Sequence, residues 1–442
     1  MAEKMPKPIS TAEKDTNGNA KTQKEPVVAS TPPGPPDGGT KAWLAVFAAC
    51  LSFLIAWGPS TGFGAFQEHY IDQLLSSHSA SDISWIGTVN AFFLISTGVV
   101  AGPLFDRGYL LHLMALGHLM VIFGMMMVSL AVEYYQIMLA FGFCVGIGSG
   151  LLYVPAIALV NTTFSTKRAL AMGFVTCGAS VGGVIFPIIF IRLQPRIGYP
   201  WTMRVLAFLQ LACSCIAMPI LLCIPRPPKP ASPRRIIHWH AMKEKTFSAY
   251  CVANFLIFMA YFVPLFYVPY FASTILGTDR DFGFYVLAAL NGASGFGRLG
   301  SAIVAQKLGA QNVLLFSVVA STILIFGWTG IRSLGSFFAF AVLLGFFSGI
   351  LISSNPVVVA HPVVSPTPSV IGTRLGMQWF ATSLGVLIGA PIAGAIVTTI
   401  NADSFINLAV YSGVVMAVGC AFLLVPLNAV WKHDKRRRQD AS

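Results

Sequence analysis

The chain has 442 residues, of which 55% are hydrophobic and only 10% are charged, and its mean hydropathy is +0.73. Because soluble domains carry about 25% charged residues, this composition excludes a soluble globular protein. The net charge of +12 is spread over the segments between apolar stretches instead of forming one basic patch, which argues against nucleic acid as a partner.

The N-terminal segment is rich in Lys, Thr and Pro and lacks the apolar core of a signal peptide. Such a segment buries too little apolar surface to fold, so we predict that residues 1–41 form a disordered cytoplasmic tail. The first apolar stretch must then direct membrane insertion.

Twelve apolar stretches follow, each close to the roughly 20 residues that a helix needs to cross the ~30 Å hydrocarbon core. They form two groups, residues 42–224 and 247–430, with a basic linker at 225–246 and a basic tail at 431–442. We predict an all-α integral membrane protein with 12 transmembrane helices as two pseudo-symmetric six-helix bundles. The predicted spans are residues 42–66, 84–104, 110–131, 136–160, 168–190, 202–224, 247–271, 282–305, 311–331, 336–358, 374–398 and 405–430.

The basic residues predict the orientation of these spans. With both termini in the cytoplasm, 22 of the 28 Lys and Arg residues lie on the cytoplasmic side and five on the other side. This excess satisfies the positive-inside rule, so we predict a multi-pass protein with cytoplasmic termini. The basic C-terminal residues Lys432 to Arg438 are expected to contact anionic membrane lipid.

The two halves carry similar glycine patterns. Gly146-x₃-Gly150 in the fourth span and Gly345-x₃-Gly349 in the tenth are each followed by a proline. Small residues at this spacing let helices approach closely, and the proline allows a bend. Two such bundles can rock about a central site, which is the basis of alternating access.

Enzyme chemistry has little support in the sequence. All eight cysteines fall in apolar spans, which predicts small buried residues instead of disulfides or a metal site. No nucleophile elbow, zinc pair or phosphate loop occurs in a suitable context. We therefore predict a protein that is not an enzyme and that needs no cofactor.

Arg298 is the one arginine or lysine expected well inside a span, and no acidic residue is expected deep inside any of them. A buried guanidinium costs at least ~2.5–3.5 kcal/mol even on the mildest insertion scale. It can bind a carboxylate through two parallel hydrogen bonds, which predicts an organic-anion site. The alternative is a structural arginine satisfied by helix-end carbonyls or by Asn291 and Ser294.

Other polar side chains of the spans are candidates to line a central cavity. Trp57, Asn161, Asn254, Asn355 and Trp379 offer amide and indole groups, although several are expected between helices instead. The residues that we predict to bind substrate together with Arg298 are Ser60, Tyr153, Tyr261, Asn291, Ser294 and Gln378.

Three segments resemble signatures of the monocarboxylate-porter branch of the major facilitator superfamily. Asp37-Gly38-Gly39 stands before the first span, residues 164–173 (FSTKRALAMG) open the fifth, and residues 291–298 (NGASGFGR) lie in the eighth. The last segment is similar to the one that carries the branch's substrate arginine, here Arg298. The matches occur in the family's order across residues 37–430 and look most like fungal members. The resemblance implies the major facilitator fold and supports a plasma-membrane location.

Two departures from the animal members of that branch affect the expected cargo. Their first-span lysine corresponds to Ser60 in an ungapped alignment, and their aspartate one turn before the arginine corresponds to Ser294. Proton coupling is therefore possible but not implied. The resemblance implies a monocarboxylate-type organic anion or a carboxylated secondary metabolite, carried actively or by facilitated transport. The alternatives are efflux of a larger fungal secondary metabolite without proton symport, or a non-transporting membrane sensor.

Residues 102–108 (GPLFDRG) resemble the superfamily's loop between spans two and three, with the glycine one residue early. The resemblance implies that Asp106 and Arg107 form a cytoplasmic gate, in which the carboxylate caps a neighbouring helix. The alternative is an ordinary solvated turn.

Overall fold

The computed structural model describes residues 38–164, 167–224, 239–397 and 402–440. All secondary structure within these ranges is helical, and ten helical segments are long and apolar enough to cross a membrane. One of them, Leu170–Cys223, breaks at Gly198 (φ 76°) and supplies two crossings. Arg280–Leu308, which carries Arg298, has the length of a crossing but more polar residues. The predicted all-α membrane architecture is confirmed.

The first six crossing helices reach residue 223. The predicted tail up to residue 37 precedes them and lies outside the described residues. The helices are α1 (Thr40–Leu74), α2 (Ala80–Asp106), α3 (Leu110–Val128), α4 (Tyr134–Thr163), α5 (168–197) and α6 (199–223).

The last six begin after a short 3₁₀ turn at Trp239–Lys243, while most of the predicted linker, residues 225–238, lies outside the described residues. The final helix continues through most of the predicted C-terminal tail. The helices are α7 (Lys245–Thr274), α8 (Arg280–Leu308), α9 (Ala310–Gly327), α10 (Leu334–Val359), α11 (Pro368–Ile396) and α12 (Ala402–Asp440).

Helix α1 is longer than the sequence predicts, because it continues past residue 66 to Leu74. Glu68 lies in this extension and is only 1% exposed, so the helix buries an acidic residue beyond the end of the predicted span. The polar residues after 66 interrupt the hydropathy pattern, yet neighbouring rings shield them. The His69 ring stacks on Tyr199 with centroids 5.2 Å apart and meets Phe190 edge-on.

Glycines of α4 and α10 bring these helices into close contact with α2 and α8. A Cβ atom at Gly150 would lie 2.7 Å from the Phe93 carbonyl oxygen, and one at Gly349 would lie 2.1 Å from that of Ser294. Such separations leave room only for hydrogen, so glycine is required at both places. The two halves therefore repeat one mode of helix packing at corresponding positions.

The end of the molecule where α1 begins is basic. We call it the basic end; Lys41, Arg107, Lys167, Lys307 and Lys432 are exposed there. Contacts between the halves reach towards this end as well, because residues 98–106 of α2 lie against α11 and a Cβ at Gly173 of α5 would lie 3.1 Å from the Leu299 side chain of α8.

At the opposite end the two halves are in close contact through α1 with α7, α2 with α11, and α5 with α8. The Ser81 hydroxyl donates to the Pro391 carbonyl at 2.9 Å, and the rings of Phe63 and Phe266 lie 5.1 Å apart. These contacts join helices of different halves. The structure is therefore closed at the end opposite the basic one.

Candidate functional site

Arg298 lies near the middle of α8 and is 5% exposed. Its Nη1 donates to the Thr176 carbonyl of α5 at 2.9 Å, whereas its buried Nε has no hydrogen-bond acceptor. Tyr153 of α4, Tyr261 of α7 and Cys177 of α5 lie within electrostatic range of the guanidinium. The side chain is thus directed into the centre of the molecule, between helices of both halves.

A second buried arginine, Arg374, has a carboxylate partner, although its Nε, like that of Arg298, has no hydrogen-bond acceptor. Arg374 of α11 is 1% exposed and binds both carboxylate oxygens of Glu244, at 2.6 and 2.5 Å. It also donates to the Val364 carbonyl and lies over the Phe247 ring. Among the described residues no carboxylate forms an ion pair with Arg298. Only Arg374 has its charge compensated by the protein.

Aromatic rings from three helices surround the same centre. Tyr153 stacks on Trp379 of α11, with centroids 4.9 Å apart and an interplanar angle of 30°. Trp57 of α1 and Phe53 also contact the Tyr153 ring, at 5.3 and 5.4 Å. The Tyr153–Trp379 pair connects the two halves.

Five of the polar side chains considered for the cavity carry a buried atom without a hydrogen-bond partner, as do other buried side chains of the described residues. Unsatisfied buried polar groups are costly, so these five atoms are candidates for bonds to a ligand. The group includes donors as well as acceptors. Its atoms are Trp57 Nε1, Ser60 Oγ, Ser294 Oγ, Arg298 Nε and Gln378 Oε1.

Some candidates from the sequence make bonds within the protein. The Asn291 amide donates to carbonyls of Leu287, Gly183 and Thr61 at 3.1 to 3.4 Å, so it connects α8 to α1 and α5. The Gln378 amide donates one N–H to the Thr382 hydroxyl at 2.8 Å, and its side-chain carbonyl oxygen has no hydrogen-bond partner.

Two further asparagines belong to a network between α7 and α10. Asn355 donates to the Asn254 side chain, and the Tyr250 hydroxyl donates to the Asn355 side-chain oxygen at 2.7 Å. These bonds join two helices of the same half. The network stabilises helix packing, in agreement with the expectation that several polar side chains lie between helices.

Comparison with known proteins gives this arrangement a family. The profile of the Major Facilitator Superfamily matches residues 43–377, which is most of the chain. The chain belongs to the major facilitator superfamily. It is therefore a membrane transporter of the MFS type.

Relatives of this MFS transporter include fungal efflux proteins. An MFS-type transporter of Emericella nidulans is 37% identical over 86% of this chain and 85% of its own length. The aspyridones efflux protein of the same fungus is 36% identical over 87% of this chain and 77% of its own. The agnestins efflux protein of Paecilomyces divaricatus is 33% identical over 95% of this chain and 92% of its own length.

Solved structures agree with the fold. A bacterial homologue of the human lysosomal transporter Spinster, in an inward-facing conformation, superposes with a TM-score of 0.65 at 17% identity. The alignment covers 89% of this MFS transporter and 98% of that chain. The nucleoside transporter NupG gives a TM-score of 0.64 at 13% identity, and the alignment covers 86% of this chain and 99% of NupG. At these identities the likeness concerns the fold alone.

The predicted gate residues lie at the end of α2, at the basic end of the transporter. Asp106 is 6% exposed, whereas Arg107 is exposed. Gly108 follows with φ 94°, a left-handed conformation that glycine adopts without strain and that ends the helix. A buried carboxylate differs from an ordinary solvated turn residue, but the gate role of Asp106 and Arg107 remains a prediction.

The residue that sequence reasoning missed is Glu68. It is buried in α1 at the closed end of the transporter, within electrostatic range of Tyr270 on α7. Asp72 lies near the same tyrosine. The position of Glu68 two residues beyond the predicted span concealed it, and no spacing motif marks it. Only the length of α1 reveals an acidic side chain at the contact between the halves.

Proposed function

We propose that this transporter exports a carboxylated secondary metabolite by alternating access, with Arg298 as the residue that binds the carboxylate. The names of the aspyridones and agnestins efflux proteins support the export of a metabolite. The resemblance of residues 291–298 to the monocarboxylate-porter segment supports an organic anion, and membership of that branch is part of the proposal.

The observation that carries this proposal is the state of the Arg298 guanidinium. It is 5% exposed, donates to the Thr176 carbonyl, and has an Nε without an acceptor. A buried charge that lacks a counter-ion is costly, so an incoming carboxylate gains both the ion pair and unsatisfied N–H donors. Arg374, already paired with Glu244, offers no such site.

The closed end of the transporter defines the release step of an exporter. The positive-inside rule assigns the basic end to the cytoplasm. Cargo would enter from that side and reach Arg298. Release would then require the contacts of Ser81 with Pro391 and of Phe63 with Phe266 to separate at the opposite end. In this cycle the carboxylate binds Arg298 without a protein carboxylate beside it to bind a proton.

The proposal is tested by metabolite profiling of cells and medium from the native host with the chain deleted. We expect the deletion strain to retain an acidic metabolite in its cells and to have less of it in the medium. Reintroducing the wild-type protein should restore this metabolite to the medium. Arg298→Ala at equal membrane abundance should reduce export by about tenfold or more, as for loss of a charged hydrogen bond. Arg298→Lys should restore export only in part, because it keeps the charge but loses the two-pronged geometry.

The matched control is Arg332→Ala, which removes an exposed arginine that bonds only to carbonyls of its own loop. This control should export normally. Normal export by Arg298→Ala at normal abundance would refute the assigned role of Arg298. A small carboxylate left unconsumed in the medium of the deletion strain would instead indicate an importer.

A further inference from the structure

The ring pair Tyr153 and Trp379 differs from the other aromatic contacts of the core. Fully buried rings such as Phe66 contact neighbours on every side and are 0% exposed. Tyr153 and Trp379 are both half-buried, although they lie near mid-depth. Both rings therefore keep part of their surface accessible. If these large rings served only to pack the core, complete burial would be more favourable than their partial exposure.

The ring pair also joins parts that move relative to one another in alternating access. Tyr153 belongs to α4 of the first half and Trp379 to α11 of the second, and their rings overlap with centroids 4.9 Å apart. A planar molecule bound against these rings contacts both halves at once. Binding of such a molecule is thereby linked to the rocking of the two bundles.

Polar atoms around the rings complete a site for a flat acid. Arg298 lies within electrostatic range of the Tyr153 hydroxyl. The Trp57 indole N–H and the Gln378 carbonyl oxygen are buried without partners, and they offer one donor and one acceptor. Trp57 meets the Tyr153 ring edge-on at an interplanar angle of 75°, so it forms a wall beside the stack.

We propose that the cargo is an acid built on a planar, conjugated ring system, which stacks on Tyr153 and Trp379 while its acidic group binds Arg298. This inference rests on the proposed function and adds the chemical class of the substrate. Stacking favours flat π-systems over saturated rings of equal size. Ring planarity, and not only charge, therefore selects the cargo.

The test measures equilibrium binding of two probes to the purified full-length protein. The probes are 2-naphthoate and decahydro-2-naphthoate, which share the carboxylate and the carbon skeleton but differ in planarity. Wild-type protein should prefer 2-naphthoate by about three- to tenfold, the range expected for aromatic stacking. Tyr153→Leu and Trp379→Leu should each make the affinities for the two probes equal. Tyr153→Phe, which keeps the ring, should keep the preference.

Two controls separate this inference from the proposed function. Arg298→Ala should weaken binding of both acids by a similar factor, and Phe316→Leu, at an exposed ring of α9, should change neither affinity. Melting temperatures establish that each variant is folded. Equal binding of both acids to wild type, with loss of both in Arg298→Ala, would overturn the planar-ring inference and leave the proposed function standing. Ring preference that persists in both leucine variants, or binding of neither acid, would overturn the inference as well.

Discussion

Two arginines of the described chain are almost completely buried, and their partners differ. Arg374 is held by Glu244, Val364 and Phe247, so its burial is compensated by the protein. Arg298 has one carbonyl acceptor and no carboxylate partner among the described residues, whereas the Nε atoms of both arginines lack an acceptor. In the proposed function, the uncompensated charge of Arg298 is retained for binding the cargo.

This difference predicts opposite effects on folding. Arg374→Met should lower the free energy of unfolding by about 3 kcal/mol or more, because the Glu244 carboxylate loses its buried counter-ion. The double variant Arg374→Met with Glu244→Gln should regain part of this loss. Arg298→Ala should leave the melting temperature in detergent unchanged or raise it. Normal melting of Arg374→Met, or collapse of Arg298→Ala, would contradict these roles.

The sequence reveals one of these arginines and conceals the other. Arg298 interrupts an apolar run, so its burial could be predicted from hydropathy alone. Arg374 stands at the predicted boundary of a span, where arginine usually reaches lipid headgroups, and its partner lies 130 residues earlier in the chain. Hydropathy carries no information on such pairing. The same limit applies to Asn291, whose amide donates to carbonyls of two helices from the other half.

At the scale of the helices, close packing depends on glycines that face backbone carbonyls. Gly345 and Gly349 of α10 lie against α8, and Gly385 and Gly389 of α11 lie against α7, where a Cβ would come within 2.0 to 2.1 Å of a carbonyl oxygen. The spacing of these glycines predicts close packing between helices, but only the structure shows which helix each glycine contacts. The length of α1 was not predictable, because Glu68 ends the apolar pattern before the helix ends.

Gly349→Ala tests this packing. The added Cβ would lie 2.1 Å from the carbonyl oxygen of Ser294, which stands one turn before Arg298 on α8. Helix α10 must therefore move away from α8. We expect a loss of about 1–3 kcal/mol in stability and a reduced export rate, as for overpacked cores. The control is Gly335→Ala on the same helix, where no atom lies within 4 Å of the added Cβ. Equal melting temperatures for the two variants would show that α8 and α10 are not in tight contact.

At the scale of the whole molecule, the candidate site lies between the two halves. Contacts between α1 and α7 and between α2 and α11 close the end opposite the basic one. Arg298 and the Tyr153–Trp379 pair each contact helices of both halves. In the proposed cycle, rocking of the halves exposes these residues to one side of the membrane at a time.

The most direct test of this account is transport by the purified protein. The metabolite that the deletion strain retains is offered to vesicles that contain wild-type protein, Arg298→Ala, or no protein, with equal incorporation of the two proteins. The account predicts saturable movement of the metabolite across the membrane with wild type, and movement near the protein-free rate with Arg298→Ala. Wild-type vesicles no faster than protein-free ones would contradict a carrier, and a variant as fast as wild type would contradict the role of Arg298.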